Sequence, residues 1–173
     1  MSSYMPEISA KLYITTNTDE KTTTLLDSTS FVTRQGSPGL AVSYAYSAGP
    51  TPSFTDDTDF KARQEVAKRE KIHSFPSAGG STAMVCNIAP NPNGDEGFMH
   101  RTHTLDYVCI TGGEAEYAVS GGEKKVMKRG DVVIQRAGWH AWKNLSKTEE
   151  LTLFAVAIGA EGATEGFMEF PKA

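Results

Sequence analysis

From residue 105 onward the chain is a close succession of short β-forming runs cut by glycine and polar turns, and this rhythm limits the possible folds more than any other feature. Residues 105–111, 115–119, 124–128, 132–135, 141–144 and 151–158 each read as a strand. Ser120-Gly121-Gly122 is a hairpin-turn sequence between the second and third of them. Many short strands with glycine and proline turns indicate an all-β sandwich or barrel of jelly-roll type.

The first half adds to that barrel. Residues 11–16 and 22–26, rich in Thr, Ile and Leu, are predicted to pair antiparallel about a polar turn at 17–21, with 31–33 extending the second strand. Residues 40–47 and 82–89 read as further strands, separated from their neighbours by Gly49, Pro50, Pro52 and the breaker cluster 90–94. The one convincing helix covers 56–71. Asp56 or Asp57 is placed to cap it, acidic residues open it, and basic residues close it. Phe60, Val66 and Ala67 would form its buried side. Lys61, Arg63, Lys68, Arg69 and Lys71, interleaved with Glu65 and Glu70, would form a solvated face. The Gly- and Glu-rich end is expected to be a loosely packed extension. The domain plan is therefore a single unit over 1–173, with an N-terminal β arm (1–50), a barrel core (82–160) and a tail (161–173).

Composition narrows the partners. With 173 residues, 39% of them hydrophobic and 22% charged, the chain suits one domain with one core. A net charge of -4 without a basic run speaks against nucleic acid. The N-terminus has no basic region followed by an apolar run, and the most apolar segment, 151–160, is too short to span a membrane. Cys86 and Cys109 share no metal-site spacing and read as reduced core residues. A cytoplasmic protein without a membrane partner is the expectation.

The chemistry is concentrated between residues 94 and 144, which hold three of the four histidines. Strand side chains alternate faces, so His100, Thr102, Thr104, Asp106, Val108 and Ile110 share one face. Val108 and Ile110 belong inside, and His100 and Asp106 should point inward with them. Tyr107 should face away. His140, Trp142 and Asn144 share a face by the same rule. A carboxylate inside a barrel costs on the order of several kcal/mol without a partner. Asp106 therefore implies either a functional site shared with the histidines or a structural Asp–His hydrogen bond.

These residues carry a resemblance to the cupins. Gly94, five residues, His100-x-Thr102, three residues, Asp106, six residues and Gly113 resemble the first cupin motif, with Thr102 in place of its second histidine and Asp106 in place of its glutamate. Gly130, Gly138, His140 and Asn144 resemble the second, with Arg136 in place of its proline and one residue fewer before His140. The resemblance implies a cupin double-stranded β-helix with an N-terminal β arm and one added helix, and a homodimer joined through the N-terminal strands. It implies a divalent metal (Fe, Mn, Ni or Zn) held by His100, Asp106 and His140, or metal-independent use of the same three as catalytic groups. Its narrower likeness is to small fungal and bacterial cupins of natural-product pathways. That implies a tailoring enzyme for a ring-bearing, polyketide-like small molecule, working by decarboxylation, dehydration or isomerisation. An iron-dependent oxidoreductase or dioxygenase and a non-catalytic binding cupin remain as alternatives. In the first reading His100 and His140 move protons and Asp106 sets the tautomer or charge of one of them. Thr102, Trp142 and Arg136 are the candidate substrate contacts, Trp142 as an apolar platform and Arg136 as a clamp for a carboxylate. Asn144 is expected to bond backbone at a strand end.

Overall fold

The computed structural model describes residues 4–8, 10–19 and 21–172, and the described chain is almost entirely antiparallel β-structure with one short helix. Strands β1 (Lys11–Asn17) and β2 (Thr23–Ser30) form a two-stranded sheet of their own. Their polar turn is closed by the Asp19 carboxylate, which accepts the backbone N–H groups of Lys21 and Thr22 at 2.8 and 2.9 Å.

The barrel has two walls. The larger contains β3 (Val32–Ser37), β4 (Leu40–Ala48), β5 (Ser81–Ile88), β6 (Thr104–Gly112), β9 (Val132–Arg136) and β11 (Leu151–Gly159), in the order β3-β4-β5-β11-β6-β9. The smaller contains β7 (Glu114–Val119), β8 (Lys124–Lys128) and β10 (His140–Asn144), in the order β10-β7-β8. The jelly-roll expectation holds. Residues 31–33 differ from their expected place: Phe31 breaks from β2, and Val32 and Thr33 open β3, which pairs with β4 across a tight turn at Pro38 and Gly39. Leu151, Leu153, Ala155 and Ala157 line the inner side of β11 at strict period two. They pack with Met84, Val108 and Ile110 of the large sheet and with Ala115, Met127 and Trp142 of the small one.

The helix α1 (Thr58–Ala67) is shorter than expected and follows a 3-10 turn (Thr55–Asp57). Asp57 occupies the N-cap position but makes no capping bond, because its carboxylate accepts the Thr16 hydroxyl instead. Arg63 is also corrected. It is buried, not solvated, and lies between α1 and β4. A bulge in β4 places Ala45 outside the ladder register, and Arg63 donates through Nε to the Ala45 carbonyl at 3.1 Å, with its guanidinium 5.8 Å from the Tyr44 ring centroid.

The tail is not loose. Residues 160–170 cross one end of the barrel as a strap. Arg101 and Glu169 exchange backbone hydrogen bonds in both directions (3.1 and 2.9 Å), and their side chains form an ion pair. Phe167 packs on His103 with ring centroids 4.5 Å apart, and Phe170 approaches Phe98 at 6.1 Å. Gly166 donates to the Phe75 carbonyl at 2.8 Å and runs so close to His73 that a Cβ would lie 2.2 Å from the ring. Hydropathy reads such a segment as loose because its contacts are backbone bonds and single aromatic pairs. Among the described residues, no helix is long and apolar enough to cross a membrane.

Candidate functional site

The two sheets, the strap and neighbouring loops line a cavity of about 1260 Å³ that opens to solvent. His100, Asp106, His140 and Trp142 all line it. Each reaches it for a local reason. His100 lies just before β6, in a two-way backbone bridge with His140 at the start of β10, N···O 2.9 Å each way. The loop leading to His100 can lie against β10 because residue 97 is glycine: a Cβ there would be 2.3 Å from the Trp142 carbonyl oxygen. Asp106 follows from period two along β6, where His100, Thr102, Thr104, Asp106, Val108 and Ile110 are buried and Tyr107 is exposed, as the alternation predicts.

The imidazoles stand side by side, ring centroids 4.3 Å apart. His100 Nδ1 lies 3.2 Å from the Phe98 carbonyl, and His140 Nδ1 lies 3.0 Å from the Gly138 carbonyl. A carbonyl only accepts, so each Nδ1 carries the hydrogen and each Nε2 is left with its lone pair. Burial pushes both rings below the ordinary histidine range, and for His140 burial together with the neighbouring His100 brings the value to about 4. Both rings are neutral near pH 7.

Asp106 behaves differently. Burial raises its carboxyl to about 6, against the opposing hydrogen bond from Thr104. Its Oδ1 is buried without a hydrogen-bond partner. Among the described residues no hydrogen bond joins Asp106 to either imidazole, so the tautomers are set by backbone carbonyls, not by Asp106 as the sequence had suggested. The structural Asp–His bond does not form either.

The same geometry bears on a metal. Two Nε2 lone pairs are suitable donors, but among the described residues no three His, Cys, Asp or Glu side chains are grouped to hold an ion. The three-ligand set expected of His100, Asp106 and His140 does not close in this geometry.

Other candidates divide. Trp142 sits on the lining, 4.6 Å from the Tyr117 ring. Thr102 is buried behind it, its hydroxyl 2.7 Å from that of Thr104, and is not exposed to the cavity. Arg136 is on the outside. Gln135 takes the inward position of β9, so both its neighbours, Ile134 and Arg136, point to solvent, and Arg136 does not line the cavity where a carboxylate clamp was expected. Asn144 ties the end of β10 to backbone, with Nδ2 2.9–3.2 Å from the carbonyls of Ile88, Ala89 and Glu149. Sequence reasoning missed Gln135, Tyr117 and the strap residues Met168 and Phe170. The parity of β9 could have found the first.

No family model matches the chain. The Schizosaccharomyces pombe Cnp3 cupin domain superposes on it with a TM-score of 0.50 at 17% identity, over 89% of this chain and 90% of that one. Oryzines biosynthesis cluster protein J of Aspergillus oryzae is 34% identical over 124 residues, 71% of this chain and 66% of the relative. The chain is a cupin. A third similar protein, the cupin-domain-containing oxidoreductase virC of Hypocrea virens, is 34% identical over 102 residues, 58% of this chain and 48% of the relative. This cupin thus spans about half to two thirds of the length of these curated relatives. Its relatives belong to fungal biosynthesis clusters.

Proposed function

We propose that this cupin is a small-molecule tailoring enzyme of a secondary-metabolite pathway that moves protons on an uncharged, ring-bearing substrate. One observation carries the reading: a buried carboxyl with an unpartnered oxygen and a value near 6 shares an apolar cavity with two neutral imidazoles whose Nε2 atoms are free. Apolar pockets with a few convergent polar groups bind such ligands. Val108, Leu153, Trp142 and Phe98 supply the apolar wall. The imidazoles accept hydrogen bonds from substrate hydroxyls and orient them. Asp106 is the group matched to proton exchange near neutral pH, giving a proton as the acid and taking one as the carboxylate. An acid–base group of this kind contributes about 10²- to 10⁴-fold.

Dehydration and isomerisation need only such transfers. Decarboxylation would also place a substrate carboxylate in the cavity, where a free cation would stabilise it. On the lining, Arg34 is engaged with backbone carbonyls, Lys143 bonds Glu96, and Lys71 lies exposed at the rim.

The test is turnover of a panel of hydroxylated aromatic and polyketide-like compounds by the wild type, Asp106→Asn and His140→Ala. Both variants should lose at least about 10²-fold in kcat, and the wild-type pH limb near 6 should be absent in Asp106→Asn. An unchanged pH profile in Asp106→Asn would remove Asp106 from the chemistry, and binding without turnover across the panel would favour a ligand-binding cupin.

The names of two relatives, cupin-domain-containing oxidoreductases, support a second reading, a cupin oxidoreductase, for which a bound iron would be the redox centre. His100 and His140 are its available ligands, and it requires a third donor beyond the present grouping. Elemental analysis of protein purified without chelators separates the readings: stoichiometric iron with oxygen-dependent activity supports this one.

A further inference from the structure

Gln135 belongs to no motif and touches neither the cavity nor a proposed catalytic oxygen, yet it is almost wholly buried. Its hydrogen bonds run in one direction. The Tyr117 hydroxyl donates to Oε1 of Gln135, and Nε2 of Gln135 donates to the Gly138 carbonyl at 2.7 Å. That carbonyl is also the acceptor for His140 Nδ1 at 3.0 Å. The side chain of Gln135 and the Nδ1 edge of His140 therefore meet at one carbonyl, with Tyr117 one bond further back.

This peptide group needs holding. Residues 137–139 belong to no strand. Ala137 sits at φ 51°, in the left-handed region that costs a residue with a Cβ. Gly138, with no side chain, lets its peptide rotate readily. The flanking bonds, Ala137 N to the Thr104 carbonyl at 3.0 Å and Ser120 N to the Trp139 carbonyl at 3.3 Å, fix the peptides on either side. For the Gly138 carbonyl itself, the only partner besides His140 among the described residues is Gln135.

We propose that Gln135 is a positioning residue: by holding the Gly138 carbonyl against His140 it locks that ring as the Nδ1–H tautomer and keeps the Nε2 lone pair turned into the cavity. Tyr117 completes the device by fixing which end of the Gln135 amide faces the carbonyl. His100 has an independent arrangement, its Nδ1 bonded to the Phe98 carbonyl with no contact to Gln135. The two imidazoles therefore supply a variant and a reference in one molecule. The proposal deepens the functional reading above in that it explains why His140 accepts rather than donates, but its test does not depend on that reading.

The test is ¹⁵N–¹H correlation of the imidazole rings in histidine-labelled protein near neutral pH, which reports the tautomer of each ring directly. The wild type should show both rings as Nδ1–H. Gln135→Met, which keeps length and removes both bonds, should convert His140 alone to a mixture or to the Nε2–H form, with His100 unchanged. Tyr117→Phe, which leaves Gln135 in place, should give a smaller conversion in the same ring. If Gln135→Met disturbs His100 as well, Gln135→Leu decides, since it too has no donor for the Gly138 carbonyl and should likewise release His140. A His140 ring that stays wholly Nδ1–H in whichever Gln135 variant preserves the His100 signals overturns the proposal. Because no substrate is involved, a tautomer change with unaltered turnover would keep Gln135 as positioner while rejecting a role for His140 in the reaction.

Discussion

Asp106 and Gln135 face each other as cross-strand partners on β6 and β9, yet no hydrogen bond joins them: Gln135 bonds Tyr117 and Gly138, and Asp106 Oδ1 is left without a partner. Two polar groups on neighbouring inner positions thus have opposite conditions. One is bonded at both ends of its amide, and the other keeps an open oxygen.

The unpartnered carboxyl makes stability depend on pH in a defined direction. Folding raises Asp106 from 3.8 to about 6, so the native state binds its proton more tightly than the unfolded chain. No penalty exists below 3.8. Stability falls as pH rises from there to about 6 and then stays lower, by on the order of 3 kcal/mol for a shift of this size. His140 works in the opposite sense, costing stability as pH falls from 6.5 to about 4. Asp106→Asn should therefore be more stable than the wild type above pH 6, with the advantage fading towards pH 4, where the His140 effect is common to both. Urea melts at the two ends of this range read the difference directly, and an equal difference at both would refute the account.

The strap should loosen locally before the barrel does. The Arg101–Glu169 ion pair is more than one-third exposed, and such pairs contribute about 0–1 kcal/mol. Arg101→Ala should leave the global urea midpoint nearly unchanged while hydrogen exchange speeds up in residues 165–171, with β6 and β11 unaffected. Uniform acceleration across the sheet would show that the strap is part of the cooperative core.

Arg63 should matter far more than an ordinary helix cation. Truncation to Ala leaves the Ala45 carbonyl buried without its donor, a loss of about 1–3 kcal/mol before packing is counted. Lys should fail to restore it, because the planar Nε–H geometry is specific to Arg. Chemical denaturation of both variants measures this, and a neutral Arg63→Ala would mean the bulge carbonyl finds water.

The β1–β2 hairpin predicts a second copy of the chain. A two-stranded sheet alone is marginal in water. Here Tyr13 and Leu25 are each 60% exposed, and among the described residues the arm makes few contacts with the barrel. Sedimentation equilibrium should give a homodimer for the full chain and a monomer once residues 1–30 are removed. A monomeric full chain would end this expectation.

The backbone frame was legible in the sequence because it depends on local rules. Alternation placed His100, Asp106, Val108 and Ile110 on one inner face and Tyr107 on the other, and the Ser120-Gly121-Gly122 turn joins β7 to β8. The side-chain chemistry was less legible because it depends on tertiary placement. Asp106 bonds neither imidazole, and the tautomers are set by carbonyls that no residue type announces. Arg136 was misplaced because a motif gap was read without the parity of Gln135 beside it. The strap and buried Arg63 were missed because each rests on a backbone bond from a distant segment, which leaves no periodic trace.

The cavity has walls of unequal permanence. Its floor is laced into a six-stranded ladder, whereas Met168 and Phe170 reach it from a single crossing thread. Substitutions confined to that thread can reshape the chamber without disturbing any rung of the ladder. A new choice of ligand can therefore evolve at one end of the molecule while His100, Asp106 and His140 keep their places.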